Sequence, residues 1–307
     1  MRRLRALGPA RRGPARGEEL SEEARGALVV VATPIGNLGD LSTRAAGALR
    51  EADLICCEDT RHSGRLLAHL GIVPRRLLSL HAHNEAARLD EVLSALAGGA
   101  NVALVSDAGT PLVSDPGARL VAAAIAAGHR VLAVPGASAA LAALVVSGLA
   151  GRFCFEGFLP RKGPERRSRL AALAASEAVS VLYEAPGRVA ATLAELSACC
   201  GPERRVAVCR ELTKLHEEVF RGSLAEACGA RLVTEPRGEY VLVLDKAEAV
   251  AVDPEERFEA LGLLLGAGFS ARDAVRAVEA LYGGAHRELY ERAIALGAAP
   301  RTGGGAG

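Results

Sequence analysis

Leu104-Val105-Ser106-Asp107-Ala108-Gly109-Thr110-Pro111-Leu112-Val113-Ser114-Asp115-Pro116-Gly117 is the stretch whose reading decides the fold. Asn101 to Val105 has the apolar pattern of a strand, and it runs into Ser, Asp, Gly, Thr and Pro. Those residues favour turns and offer a ligand backbone N–H groups and short side-chain oxygens. Asp115 is suited to cap a helix, Pro116 to occupy its first position, and Ala118 to Ala127 carries an apolar helical spacing. A polar loop between the carboxyl end of a strand and a helix is where open α/β sheets bind ligands.

Upstream, the same alternation repeats. Ala27 to Ala32, Asp53 to Cys57 and Leu77 to Leu80 read as strands, and Leu41 to Glu51 and Glu85 to Ala97 as helices. Downstream, Arg130 to Val134 is a strand, closed by Pro135-Gly136-Ala137-Ser138 and the apolar helix Ala139 to Ser147. Strands separated by helices of this length imply a parallel-rich sheet whose five carboxyl-end loops converge on one edge.

The texture changes over Gly148 to Pro164, where three Phe crowd together beside Arg161, Lys162, Arg166, Arg167 and Arg169. A second α/β domain follows, with strands at Val179 to Tyr183, Arg205 to Cys209, Glu217 to Gly222 and Glu239 to Asp245. Helices are expected there at Arg188 to Cys199 and Ser223 to Ala230. Short connections between the later strands predict a mixed or antiparallel sheet. After Asp253-Pro254, helical patterns at Glu255 to Leu265, Ser270 to Leu281 and His286 to Leu296 form a small module, suited to RNA contact or assembly. The expected organisation is a disordered Arg-rich extension (1–26), two α/β domains (27–150 and 151–248), a helical module (254–297) and a flexible tail (298–307).

Composition narrows the function classes. The formal charge is +1, so any nucleic-acid binding must come from local clustering of charge. The longest apolar run, Ala139 to Val146, is far short of a membrane span. Seven Cys include two adjacent pairs but no C-x-x-C, which reads as reduced thiols in a cytosolic protein. Six Phe, four Tyr and no Trp offer no extended base-stacking platform. The extension holds seven Arg and four Glu without the apolar core of a secretory signal.

Individual motifs leave alternatives open. Pro34-Ile35-Gly36-Asn37-Leu38-Gly39 matches neither G-x-G-x-x-G nor a P-loop, so NAD and triphosphate chemistry are disfavoured while another adenosine-bearing ligand is not. Asp107 with Asp115, or His81 with His83, makes an incomplete ligand set, and no metal is expected. Glu58-Asp59-Thr60-Arg61-His62 is either a reactive cluster at a strand end or an ordinary salt-bridged helix start. Arg210-Glu211-Leu212-Thr213-Lys214 carries the same ambiguity, and Arg161 to Arg169 is either a solvated face or a phosphate grip.

Seven segments in order carry a resemblance: Ala32 to Leu38, Glu58 to His62, His83-Asn84-Glu85, Ser106 to Gly117, Pro135-Gly136-x-Ser138, Phe155 to Pro160 and Arg210 to Lys214. Together they resemble the bacterial ribosomal RNA small subunit methyltransferase I family, in the tetrapyrrole methylase superfamily, over about Ala27 to Leu296. The resemblance implies two α/β domains of the tetrapyrrole methylase type, one parallel-rich and one mixed, in a cytoplasmic homodimer. It implies methyl transfer from S-adenosylmethionine to the 2′-oxygen of a cytidine ribose in the decoding region of 16S rRNA, with no DNA or membrane partner. By that analogy the cofactor is assigned to Pro34, Gly36, Asn37, Ser106, Asp107, Gly109, Thr110, Pro111, Pro135, Gly136 and Ser138. Glu58, Asp59, Arg61, His62 and Glu211 are the catalytic candidates. Arg161, Lys162, Arg166, Arg167, Arg169, Arg188 and Lys214 are expected to hold RNA, either as 16S rRNA or in the 30S subunit. Alternative readings are a tetrapyrrole or other small molecule as acceptor, and a noncatalytic ribosome-binding homologue. The family usually has His where this chain has Gly187, between Tyr183-Glu184-Ala185-Pro186 and Arg188.

Overall fold

The computed structural model describes residues 26–248 and 254–297, so the expected extension and tail lie outside the described residues except for Gly26. Residues up to 247 group as one compact unit and residues from 248 as another.

In the first unit, β1 (Leu28–Val31), β2 (Leu54–Cys57), β3 (Leu77–Ser79), β4 (Val102–Leu104) and β5 (Val131–Val134) form a parallel sheet in the order β3-β2-β4-β1-β5. Its inner strands are short Val, Leu, Ile and Cys runs buried on both faces, as a covered parallel sheet requires. Helices α1 (Thr43–Glu51) and α2 (Thr60–His69) pack on one face through Ala45, Leu49 and Leu67. Helices α3 (Glu85–Ala97) and α4 (Ala118–Ala126) cover the other through Val92, Leu96, Leu120 and Ala124. The neighbours β1 and β4 therefore send their chains to opposite faces, which opens a crevice between their carboxyl ends.

Two expectations at the central loop need correction. Helix α4 is capped by Gly117 rather than Asp115, and Pro116 precedes the helix. Gly117 has φ +119°, and a Cβ there would sit 2.7 Å from Leu104 Cδ2, so tight backbone packing rather than capping preference sets the boundary. With no side chain at the cap, the helix borrows one: buried Glu85 of α3 accepts from Leu120 N–H at 3.0 Å.

Helix α5 (Ala139–Ser147) leaves the first sheet and lies against the second. It buries Ala140 and Ala143 against Val179, Val181, Ala207, Cys209, Val241 and Val243. Its other side, with Leu141 and Val145 exposed, is apolar as well, so the helix has no polar stripe. The second sheet has the order β6-β7-β10-β8-β9. Its strands are β6 (Phe153–Phe158), β7 (Val179–Glu184), β8 (Arg205–Arg210), β9 (Glu218–Ser223) and β10 (Tyr240–Leu244), parallel at β6-β7 and antiparallel elsewhere. Its far face carries α6 (Pro164–Ala174), α7 (Val189–Cys200), α8 (Leu224–Gly229) and the short α9 (Arg231–Thr234). Four of these elements were not read as such from the sequence: α2, β6, α6 and the single-turn α9. Thr60 to His69 and Pro164 to Ala174 are dominated by charge, and β6 is an edge strand with Phe153 and Phe158 exposed.

The second unit is a three-helix assembly of α10 (Pro254–Gly266), α11 (Ala271–Tyr282) and α12 (His286–Gly297), built on Leu261, Val275, Val278 and Leu289. It holds five Arg against six Glu and one Asp, so it has no cationic surplus.

Replacing Glu85 by Ala is expected to cost about 2 kcal/mol, the usual worth of a buried charged hydrogen bond. Glu85→Gln, which keeps an acceptor, should cost less. Denaturant unfolding would read this, and an unchanged midpoint for Glu85→Ala would contradict the borrowed cap.

Candidate functional site

Hydrogen bonds tie the loops at the carboxyl ends of β1 to β5 side by side. Thr33 and Gly109 exchange both backbone hydrogen bonds, at 2.8 and 3.1 Å, and Thr33 Oγ1 donates to the Ser106 carbonyl. Thr110 Oγ1 donates to the Ala137 carbonyl at 3.0 Å, joining the loop after β4 to the loop after β5. Asp107 Oδ1 accepts from Asp59 N–H at 3.1 Å, and Ser79 Oγ donates to the Glu58 carbonyl, which brings in the loops after β2 and β3. Leu112 and Ser114 hold φ of 73° and 67°, a cost ordinary residues carry where surrounding structure imposes it.

Three concavities surround this loop. The first, about 390 Å³, is walled on one side by Ile35, Ala108, Gly109, Thr110, Val113, Ser114, Asp115, Ser138 and Ala139. Its other wall comes from the second sheet: Phe158, Tyr183 to Pro186 and Gly238 to Val241. A second, about 260 Å³, lies between Thr33-Pro34-Ile35-Gly36, Leu38 and one face of α2, with Asp107 and Ala108 at its end. A third, about 430 Å³, is lined by Glu58, Asp59, Thr60, Arg61, Ser79, His81 and Asp107.

A buried clamp holds the second-sheet wall. Glu184, 2% exposed, accepts from Ala185 N–H at 2.8 Å and Thr192 Oγ1 at 2.6 Å, and it pairs with Arg188 Nε at 3.0 Å. Arg166 bonds Thr192, Glu195 and the Pro160 carbonyl. Tyr183 meets Phe155 and Phe158 edge-on at 4.9 and 5.6 Å. On the same side, Glu211 accepts from Glu239 N–H and Lys214 Nζ, which fixes the turn at Gly238. The Lys214 side chain crosses Gly36, where a Cβ would lie 2.3 Å from its Cγ, so only glycine admits it.

The sequence-derived residues divide among these features. Gly109, Thr110 and Ser138 line the first cavity; Pro34, Gly36, His62 and Asp107 line the second; Glu58, Asp59, Arg61 and again Asp107 line the third. Asn37 caps a short 3-10 turn, Leu38–Asp40, and Ser106 is buried beneath the loop. Neither they nor Pro111, Pro135 and Gly136 line any of the three. Two of the residues expected to hold RNA are not available to it. Arg166 is 7% exposed and spent on α7 and the Pro160 carbonyl, and Arg188 is spent on Glu184 and the Leu159 carbonyl. Lys214 sits between Glu211 and Glu239, and Arg169 pairs with Glu156. Arg161, Lys162 and Arg167 are exposed. Ile35, Phe158, Tyr183 and Gly238 to Val241 were missed. Ile35, Phe158 and Tyr183 lay in noted motifs but were given no role there, and nothing local marks a β10 edge as a cavity wall.

Charge sorts the carboxylates. Burial, reinforced by Asp107, pushes Glu58 up, with His81 opposing. The Arg61 side chain holds Asp59 well below the usual range. For Glu211, burial pushes up but the Lys214 hydrogen bond and further partners outweigh it, leaving it lowered. Burial pushes Asp115 up to about 6, with Ser106 opposing and Glu58 and Asp107 adding. Among the described residues, no group of three or more His, Cys, Asp or Glu is placed to hold a metal ion, and no helix is long and apolar enough to cross a membrane.

Residues 27–228 match the family model described as Tetrapyrrole (Corrin/Porphyrin) Methylases. The chain is 44% identical to a protein of Synechocystis named ribosomal RNA small subunit methyltransferase I, over 88% of this chain and 98% of that one. A Xylella fastidiosa protein of the same name is 50% identical over 72% of this chain and 82% of its own. Among solved structures, uroporphyrin-III C-methyltransferase from Thermus thermophilus complexed with S-adenyl homocysteine superposes with a TM-score of 0.51. It is 21% identical, covering 72% of this chain and 97% of that one, a likeness of fold.

The raised Asp115 carboxyl makes a signed prediction. Its folded-state value near 6 stands above the ordinary 3.8, so the native state holds the extra proton between about pH 4 and 6, and stability falls as pH rises through that window. Asp115→Asn should therefore gain on the wild type by about 1 kcal/mol at neutral pH, after allowance for solvent screening of a part-exposed group, and gain nothing below about pH 4. Urea unfolding at the two pH values measures this. A gain equal at both would contradict it.

Proposed function

The chain belongs to the tetrapyrrole methylase family and, within it, to the ribosomal RNA small subunit methyltransferase I enzymes, and from that premise we propose its reaction. It transfers a methyl group from S-adenosylmethionine to the 2′-oxygen of a cytidine ribose in the decoding region of 16S rRNA. The observation that carries this reading is the 390 Å³ cavity at the crevice between β1 and β4, walled by both sheets and bordered by two polar clefts.

The residues of that cavity suit the cofactor. Its volume lies in the range that takes a ligand of this size. Ile35, Val113 and Pro186 offer apolar walls for an adenine. Ser138 caps α5 without a side-chain cap hydrogen bond, which leaves its hydroxyl and the first helical N–H groups to receive a carboxylate. The faces of Phe158 and Tyr183 and the Asp115 carboxylate suit a cationic group. When bound, S-adenosylmethionine supplies an electrophilic methyl carbon on a positive sulfur.

The remaining work belongs to the chain. An in-line displacement is accelerated chiefly by holding the acceptor oxygen, carbon and leaving sulfur in line, and the stitched loops supply the rigidity that demands. A base then takes the hydroxyl proton. Asp59 and Glu211, both held low, make poor bases, whereas Glu58 is pushed toward neutrality at the mouth of the third cleft and is the base we favour. Asp107 touches both clefts and holds the Asp59 backbone, so its part lies on the acceptor side rather than in the cofactor cavity assigned to it from the sequence. Gly187 is exposed with open space around it, and the Glu184 clamp forms without a side chain there, which supports activity without the usual His.

The substrate in this reading is the 30S subunit and the setting the cytoplasm, where subunits are assembled. The active form is a homodimer. Exposed Leu141, Val145 and Phe153 offer apolar surface for self-association.

Incubation with methyl-labelled S-adenosylmethionine and 30S subunits, naked 16S rRNA or a tetrapyrrole precursor, followed by nucleoside analysis, tests the reaction. Label in 2′-O-methylcytidine from 16S rRNA is expected, and label only in the tetrapyrrole would refute it. Glu58→Gln should lower kcat by about 100-fold with cofactor affinity unchanged, the usual worth of a positioned base. The wild-type rate should fall in acid as Glu58 takes a proton. A Glu58→Gln enzyme with full kcat would remove Glu58 from the mechanism.

A further inference from the structure

The 260 Å³ cleft beside α2 has a wall that the proposed chemistry does not use. His62, Arg65 and His69 fall at positions i, i+3 and i+7 of one helix and all line it, so they form a single face. Arg65 is exposed, and its side chain makes no ion pair or hydrogen bond among the described residues. Its neighbours differ: Arg61 is bound by Asp59, and Lys214 by Glu211 and Glu239. The cleft shares Ile35 and Ala108 with the cofactor cavity and Asp107 with the cleft that holds Glu58. It therefore carries one carboxylate, shared with the cleft of the candidate base, and basic groups along α2.

That polarity matches one nucleotide. On a ribose the carbon that bears the 2′-oxygen adjoins the carbon that bears the 3′-phosphodiester. A site that sets the hydroxyl near Glu58 and Asp107 brings that phosphate toward the same cleft. A guanidinium presents a planar fork to phosphate oxygens, and imidazole N–H groups add donors. We infer that Arg65, flanked by His62 and His69, binds the backbone phosphate next to the target ribose and so orients the acceptor. This rests on the rRNA methylation reading above. The helical unit, with seven acids to five Arg, offers no comparable attraction.

The test uses the full chain with Arg65→Ala, Arg65→Lys and Arg65→Glu, each checked for wild-type melting. Methyl transfer to 30S subunits is measured across salt concentrations, with cofactor affinity followed by calorimetry. Arg65→Ala should raise KM for the subunit about tenfold at near-normal kcat and unchanged cofactor affinity. It should also reduce the log–log salt slope of RNA binding by about 0.7 to 0.9, one phosphate contact. Arg65→Lys should recover most of the loss, and Arg65→Glu should exceed Ala. Wild-type KM and slope in Arg65→Ala and Arg65→Glu, or a loss confined to kcat, would overturn the phosphate contact while leaving the reaction intact. A wild-type protein that labels no rRNA would instead overturn the reaction, and this inference with it.

Discussion

The paired hydrogen bonds between Thr33 and Gly109 are the constraint on which the rest of this molecule depends. They form an isolated antiparallel bridge beyond the parallel β1–β4 pairing, which ends at Val30 and Leu104, in the segment where the two chains part to opposite faces. The crevice is thereby held at a defined width. Thr110 and Asp107, on either side of Gly109, extend the same stitching to the loops after β5 and β2. Each link is an ordinary hydrogen bond, worth about 1 kcal/mol net. Their joint effect is positional: four segments distant in sequence become one surface. The positive φ of Leu112 and Ser114 is the conformational cost of bending the chain back into α4 after that surface has been made.

A second constraint brings the other wall. Helix α5 starts at the crevice and ends in the core of the second sheet, its small residues allowing close approach. The wall at Tyr183 to Pro186 is then fixed by a carboxylate taken almost wholly out of water. Burying Glu184 is costly unless each oxygen is met, and here Ala185, Arg188 and Thr192 meet them. Arg166, from an element beyond the cavity, closes the network through Thr192. Cations that look in sequence like a nucleic-acid grip are thus partly the means by which a cavity wall is held still.

This accounts for what was legible in the sequence. The strand at Asn101 to Val105, the loop after it and the helices Glu85–Ala97 and Ala139–Ser147 follow from local pattern, since burial and turn chemistry are written in neighbouring residues. Family likeness identified the family, because seven motifs in order leave little freedom. The failures share a physical cause. Arg166 and Arg188 read as surface charges because their partners Glu195, Thr192 and Glu184 are contributed by other turns and elements. Gly117 displaced Asp115 as the cap because a contact with Leu104, thirteen residues back, decides the backbone there. Gly238 to Val241 joined the cavity wall through sheet order, which no local window contains.

The central claim is that loops from both sheets make one cavity for a sulfonium donor, with the acceptor approaching from the α2 side. The most direct measurement is a crystal structure of the full chain with S-adenosylhomocysteine. The account predicts density for it among Ile35, Thr110, Ser138, Tyr183 and Pro186, leaving the cleft of Arg65 and His69 open. Density in that cleft, or elsewhere on the molecule at saturating ligand, would contradict it.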